Sequence, residues 1–208
     1  MDGVFMRKFA KFIWTTVLVI SMFCLGILLA DRAALEKNLI RLHVVANSDS
    51  KEDQSHKLQV KDAITKFLSE QLQSAENSGE AYQLLAGQLP KLEEIAREVL
   101  VGLDDQNDVR VSLGKETFPL RQYETFSLPS GVYQSIRIEI GQSEGENWWC
   151  VVFPSLCNPQ TAEAFSAEAV NSGLGNHLTG ALSNEKGYEI RFFFLDCIGK
   201  LENLFFRK

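Results

Sequence analysis

The chain has 208 residues, of which 45% are apolar, and its 27 acidic side chains outnumber 21 basic ones. Residues 1–30 contain three of the basic side chains and one of the acidic ones, so residues 31–208 carry a net charge of −8. Nucleic acids and anionic membrane surfaces attract clusters of lysine and arginine. The acidic balance therefore argues against a nucleic-acid partner, while the length allows one domain with a substantial core.

The first element along the chain is an uncharged apolar stretch, residues 12–30, which follows three basic residues. About 20 apolar residues cross the ~30 Å hydrocarbon core of a bilayer as a helix, and positive charges stay on the cytoplasmic side. A buried core helix usually keeps a polar face, whereas only three hydroxyl side chains interrupt this stretch. We predict that residues 1–30 form a signal peptide or an N-terminal membrane anchor, and that residues 31–208 form an extracytoplasmic domain. The stretch exceeds the roughly 7–15 residues of a typical signal peptide, which slightly favours the anchor.

Beyond the apolar stretch, residues 39–46 alternate between apolar and mixed positions, which predicts a strand. Turn residues 47–49 follow, and Ser50 lies three residues before Asp53, as in a capping box at the start of a helix. Apolar residues at helical spacing then predict helical regions within residues 50–72 and 84–103.

After residue 108 the hydrophobic period changes to two. It predicts strands at residues 109–113, 133–140, 148–153 and 189–195, and a short helix at residues 162–170. Early helices followed by late strands with short connections favour the α+β class. We predict an N-terminal hydrophobic helix followed by one domain, in which a mostly antiparallel sheet packs against two or three helices.

Three cysteines lie in the predicted extracytoplasmic part, at Cys150, Cys157 and Cys197. Oxidising compartments favour disulfides, and Cys150 and Cys157 are the local candidates. An extended chain would hold their Cα atoms about 23 Å apart, whereas a disulfide needs less than about 7 Å. The chain must therefore reverse direction between them, and Pro154 and Ser155 are suited to that turn. The alternative is a pair of buried thiols.

The polar residues His43, Asn47, Asp49 and Asp53 lie within eleven residues and resemble a catalytic or metal-binding cluster. In the alternative interpretation, Asp49 and Asp53 occupy a turn and a helix N-terminus, where negative charge interacts favourably with the helix dipole. His43 lies on the polar face of its strand beside Arg41. The sequence contains no zinc, nucleotide or hydrolase motif spacing. We therefore predict no catalytic residue, no metal site, no cofactor and no small-molecule substrate.

Trp148 and Trp149 are adjacent in a predicted strand, so their side chains point to opposite faces of the sheet. Either the sheet is packed on both faces, or one tryptophan is exposed for a partner, as at many interface hot spots. Cys150 is a poor candidate nucleophile, because Trp149 and Val151 flank it and reactive thiolates need partly exposed, electropositive surroundings.

Three blocks of the sequence carry a resemblance to a known family. They are Leu39–Gln54 (LIRLHVVANSDSKEDQ), the pair Phe118–Tyr123 (FPLRQY) and Leu128–Tyr133 (LPSGVY), and Asn147–Cys157 (NWWCVVFPSLC). In this order, and with the apolar segment before them, they resemble the stage II sporulation protein R family. Ser155 replaces a second proline of the family pattern, and the tail from Phe192 is more aromatic than that pattern.

The resemblance implies a signalling protein rather than an enzyme. Members are exported from the forespore into the space between the two apposed membranes. There they activate a membrane-embedded protease of the aspartic type, the sporulation sigma-factor processing peptidase, which processes pro-sigma-E. An extracytoplasmic hydrolase and a passive envelope-binding domain are the alternatives. We expect the partner-binding surface to lie near His43, Asn47, Asp49, Asp53, Trp148 and Trp149.

Overall fold

A computed structural model describes residues 3–157, 162–183 and 190–206. Its helices are α1 (Gly3–Asn38), α2 (Lys51–Gln71), α3 (Ser78–Val101), α4 (Ala162–Asn171), α5 (Asn176–Leu182) and α6 (Ile190–Phe206). Its strands are β1 (Ile40–Val45), β2 (Val109–Phe118), β3 (Arg121–Gln122), β4 (Ser127–Leu128), β5 (Gly131–Ile140) and β6 (Asn147–Phe153). The first four predicted strands and the short predicted helix correspond to β1, β2, β5, β6 and α4, but β2 extends to Phe118, beyond the predicted end at residue 113.

Four strands form one mixed sheet in the order β2-β5-β1-β6. β1 runs parallel to β5, while the β2–β5 and β1–β6 pairings are antiparallel. β3 and β4 form a separate two-stranded ribbon. The predicted α+β class and the mostly antiparallel character of the sheet are therefore confirmed.

Helices α2 and α3 cover one face of the sheet. The alternation of β1 directs Ile40, Leu42 and Val44 toward this layer, where they are buried. As predicted, Ser50 caps α2, because its side chain accepts a hydrogen bond of 3.0 Å from the backbone N of Asp53. Capping satisfies one of the unpaired N–H groups at a helix start.

A second helical layer covers the opposite face of the sheet. The C-terminal turns of α1 pack there together with α4, α5 and α6, around Leu35, Phe165 and Leu195. The sheet is thus packed on both faces, which was one of the two interpretations of the tryptophan pair. Because of this second layer, more helices pack against the sheet than the two or three that were predicted.

The predicted strand at residues 189–195 is wrong over residues 190–195, which begin α6; residue 189 lies outside the described residues. Residues 192–195 form an unbroken apolar run, and such a run does not distinguish a strand from a buried helix. In the structure Phe192, Leu195 and Gly199 lie at spacings of three and four, on the face of α6 that packs against the domain. Helical burial of that face decides the conformation.

Helix α1 is one continuous helix of 36 residues that combines the apolar stretch with a buried end. An 18-residue window of it has a mean hydropathy of 2.4 and no buried residue. By contrast, Asp31, Arg32 and Leu35 are buried within the domain. Nε of Arg32 donates to Glu202 in α6 at 2.8 Å, and Nη1 donates to the Tyr133 hydroxyl at 2.9 Å. The candidate membrane segment therefore continues into the domain as one helix.

Cys150 and Cys157 form a disulfide, with their Cα atoms 5.2 Å apart. Cys150 lies in β6, and the chain turns back at Pro154 and Ser155, the turn expected from the sequence. Closing a loop of this length stabilises the fold by roughly 2–2.5 kcal/mol on the chain-entropy estimate. Cys24 and Cys197 are free thiols.

Candidate functional site

The six residues expected near a partner surface lie at one end of the sheet, where β1 ends and β6 begins. In the β1–β6 register, His43 is opposite Trp149 and Val45 is opposite Asn147. Asn47 and Asp49 follow in the turn to α2, and Asp53 lies in the first turn of that helix. The antiparallel pairing of β1 and β6 thus brings two distant parts of the sequence to the same end of the sheet.

The turn between β1 and α2 is fixed by hydrogen bonds to the loop before β6. Asn47 Oδ1 accepts from the backbone N of Gln142 at 2.9 Å, and Asp49 Oδ1 accepts from that of Glu146 at 2.7 Å. Asp53 accepts from the Asn47 side chain at 3.0 Å. These polar groups therefore hold the local structure, in agreement with the turn and helix-start interpretation made from the sequence.

A stack of three side chains, Arg121, Trp149 and His43, lies beside this turn. The guanidinium carbon of Arg121 is 3.4 Å from the ring centroid of Trp149. The His43 ring stacks on Trp149 with centroids 5.3 Å apart and an interplanar angle of 24°. Trp149 and Arg121 are half-buried, so this Arg121–Trp149–His43 stack presents part of its area to solvent. Cation–π contacts of this kind stabilise by roughly 0.5–2 kcal/mol.

Trp148 points to the opposite face of the sheet, as predicted. Its side chain is 37% exposed, and Nζ of Lys61 in α2 lies 4.8 Å from its ring centroid. The two tryptophans therefore flank the edge strand β6 from both sides.

Arg41 is a buried cation beneath the stack and was not selected from the sequence. Its guanidinium carbon lies 4.0 Å from the centroid of Phe118 and 5.0 Å from that of Tyr133, and Nη2 donates to the Tyr123 hydroxyl at 3.0 Å. Among the described residues, Nε and Nη1 have no hydrogen-bond partner. Arg41 shares the mixed face of β1 with His43, so strand alternation was the signal that could have found it.

The groove next to the stack is lined by charged residues from β2 and β5, and its volume is about 660 Å³. His43 Nδ1 lies 2.7 Å from Glu116 Oε1, and His43 Nε2 lies 2.7 Å from Asn147 Oδ1. Arg137 forms an ion pair with the same carboxylate. Glu116 and Arg137 were not predicted, because only the β2–β5 register brings them beside His43.

Glu116 makes the stability of this site dependent on pH. Burial raises the pKa of Glu116, but hydrogen bonds and charges from His43 and Arg137 outweigh burial and hold the pKa below its ordinary value of 4.5. A carboxylate with a lowered folded-state pKa stabilises the fold above its unfolded pKa, and this contribution is lost as the pH falls through the folded value. Between about pH 5 and pH 3, we expect the free energy of unfolding to fall less for the Glu116→Gln variant than for the wild-type protein. Urea unfolding of both proteins at these pH values checks this; equal losses would contradict it.

One group of described residues, Asp53, His56 and Asp105, has the donor atoms that a metal ion would need. The side chains are already engaged: His56 Nδ1 lies 2.7 Å from Asp105 Oδ2, and Asn107 donates to Asp105 at 2.7 Å. The His56 side chain is buried. The group links the start of α2 to the loop after α3, and this structural role accounts for its geometry.

The three sequence blocks converge on the stack. The block at residues 39–54 supplies Arg41 and His43, the block at residues 118–133 supplies Arg121, and the block at residues 147–157 supplies Trp149. Segments far apart in the chain thus contribute to one surface and to the buried aromatic residues that contact Arg41, which are Phe118 and Tyr133.

Comparison with known proteins gives one family. The model of the family described as stage II sporulation protein R matches residues 36–163. The stage II sporulation protein R of Bacillus subtilis (strain 168) is 36% identical over 118 residues, which cover 57% of this chain and 53% of that protein. The chain thus spans about half the length of this curated relative, and no solved structure matches. Since the family model covers more than half of the chain, the protein belongs to the stage II sporulation protein R family.

Proposed function

We propose that this protein is an exported sporulation signal that activates a membrane-embedded protease by direct contact. Family membership supports a sporulation role. The exposed apolar segment of α1 fits a signal peptide or anchor, and the Cys150–Cys157 disulfide is typical of an oxidising compartment. In this proposal, the domain lies between the forespore and mother-cell membranes. Its target is the aspartic-type sigma-factor processing peptidase, which then processes pro-sigma-E.

The observation that carries the binding proposal is the Arg121–Trp149–His43 stack. Tryptophan and arginine are enriched at interface hot spots, and rigid anchors lose little conformational entropy on binding. The hydrogen-bonded turn at Asn47 and Asp49 fixes the rim beside the stack. The surface therefore combines large side chains with a backbone that is ordered before the partner arrives.

A contact signal must bind the active state of its receptor more tightly than the inactive state. To move a two-state receptor from 1:99 to 99:1, this preference must be about 10⁴-fold, or about 5.5 kcal/mol. Individual hot-spot residues contribute about 2 kcal/mol or more. Contacts of Arg121, Trp149 and Trp148 that form only with the active state can therefore supply a preference of this order, with no chemical step by this protein.

Co-production of three proteins in a non-sporulating bacterium tests the proposal: this chain, the peptidase and the pro-sigma-E substrate. We expect processing when the full chain is present, and no processing when residues 12–30 are replaced by a hydrophilic sequence that prevents export. Processing in the presence of the variant that stays in the cytoplasm would refute the proposal, and so would the absence of processing when the full chain is exported. The latter outcome, with the domain still bound to the envelope, would instead support a passive envelope-binding role.

A further inference from the structure

Helix α6 has a second apolar face, which the domain does not use. One face packs inward through Phe192, Leu195 and Gly199. Asp196 on this side accepts a hydrogen bond of 2.8 Å from the backbone N of Ser130, which fixes the helix against the chain entering β5. The packed face thus sets the rotation of α6 about its own axis.

The opposite face of α6 is exposed and contains no charged residue. At helical spacing it presents Ile190, Phe193, Phe194, Leu201, Leu204 and Phe205, which are between 48% and 85% exposed. Arg191, Lys200 and Glu202 lie at the two borders of this stripe. A contiguous exposed apolar surface bordered by polar residues is typical of an interaction site, in contrast to scattered exposed apolar residues.

Two ion pairs place α6 at the point where the apolar segment of α1 leaves the domain. Nε of Arg191 donates to Asp31 at 2.7 Å, and Glu202 pairs with Arg32. Arg191 and Glu202 are eleven residues apart, about 16 Å along a helix, yet they contact adjacent residues of α1. Helix α6 therefore crosses α1, immediately beyond residues 12–30.

We infer that α6 is an interfacial helix whose exposed face inserts into the lipid of the same membrane that residues 12–30 cross. This inference rests on the proposed position of α1 in a membrane. The apolar face turns away from the domain, and charged residues border it on both sides, as in helices that lie in the membrane interface. The domain is then held in one orientation on the bilayer by two elements, the α1 span and the α6 surface.

Depth-dependent fluorescence quenching in the full chain tests this inference. In a Cys24→Ser, Cys197→Ser background, single cysteines are introduced as Leu18→Cys in α1, Leu201→Cys in α6 and Val101→Cys in α3. The native side chains are similarly exposed, at 61%, 57% and 68%. Each variant is labelled with an environment-sensitive fluorophore and reconstituted into vesicles of phosphatidylethanolamine and phosphatidylglycerol that contain nitroxide-labelled lipid.

We expect lipid quenching at positions 18 and 201 to be severalfold stronger than at position 101. Strong quenching at position 18 with position 201 resembling position 101 would overturn the inference and leave the proposed span intact. Absence of quenching at position 18 would refute the membrane location on which both rest. A label at position 201 that is shielded from lipid and from aqueous iodide would show that protein covers this face, which also overturns the inference.

Discussion

Trp149→Ala is expected to lower protease activation by a factor of about 30 or more, equivalent to about 2 kcal/mol of binding. The substitution removes the ring that both Arg121 and His43 contact, and with it the largest partly exposed side chain of the stack. Arg121→Ala is expected to have an effect in the same direction. The measurement is the amount of exported protein that gives half-maximal pro-sigma-E processing in the co-production assay.

The control for Arg121→Ala is Arg97→Ala in α3, which removes an exposed arginine of an i,i+4 ion pair with Glu93. Such surface pairs contribute only about 0.3–0.5 kcal/mol, so processing should be unchanged. We also expect Trp148→Ala and Asp49→Ala to lose processing, since these residues flank the same edge. Wild-type processing by folded variants at positions 121, 148 and 149 would exclude this surface as the binding site.

Gly199→Ala is expected to destabilise the domain by roughly 3 kcal/mol. A Cβ atom at Gly199 would overlap the backbone oxygen of Ser130, so α6 could not keep its packing without a shift of the chain before β5. Gly87→Ala in α3 is the matched control, because it is also helical and its Cβ would meet no atom within 4 Å. The control should be neutral or more stable by up to about 1 kcal/mol, since alanine favours helix.

Urea unfolding of the two full-length variants in detergent micelles, followed by tryptophan fluorescence, measures both effects. The unfolding midpoint should fall for Gly199→Ala and stay constant or rise for Gly87→Ala. Equal midpoints for the two variants would show that α6 does not pack closely on the segment at Ser130.

The local parts of the fold were predictable because they depend on short-range patterns. The strand predicted at residues 39–46 and the Ser50–Asp53 cap were confirmed, since each depends on neighbours in sequence. The strand predicted at residues 189–195 was wrong over its described part because an unbroken apolar run carries no period, and burial against the sheet favoured a helix. Local patterns do not contain this tertiary information.

The candidate site was only partly predictable for the same reason. His43, Asn47 and Asp49 were selected because they cluster in sequence. Glu116 and Arg137 reach His43 only through the strand order β2-β5-β1, which parallel pairing of β1 with β5 creates. The charged side of the groove could therefore not be predicted from residues that are close in the sequence.

The proposed mode of action requires the domain to lie outside the cytoplasm, and topology reporters test this most directly. The full chain is fused at its C-terminus either to alkaline phosphatase, which is active only after export, or to a fluorescent protein that fluoresces only in the cytoplasm. We predict an active phosphatase fusion and a dark fluorescent fusion. An inactive phosphatase fusion together with a fluorescent counterpart would place the domain in the cytosol and contradict the account.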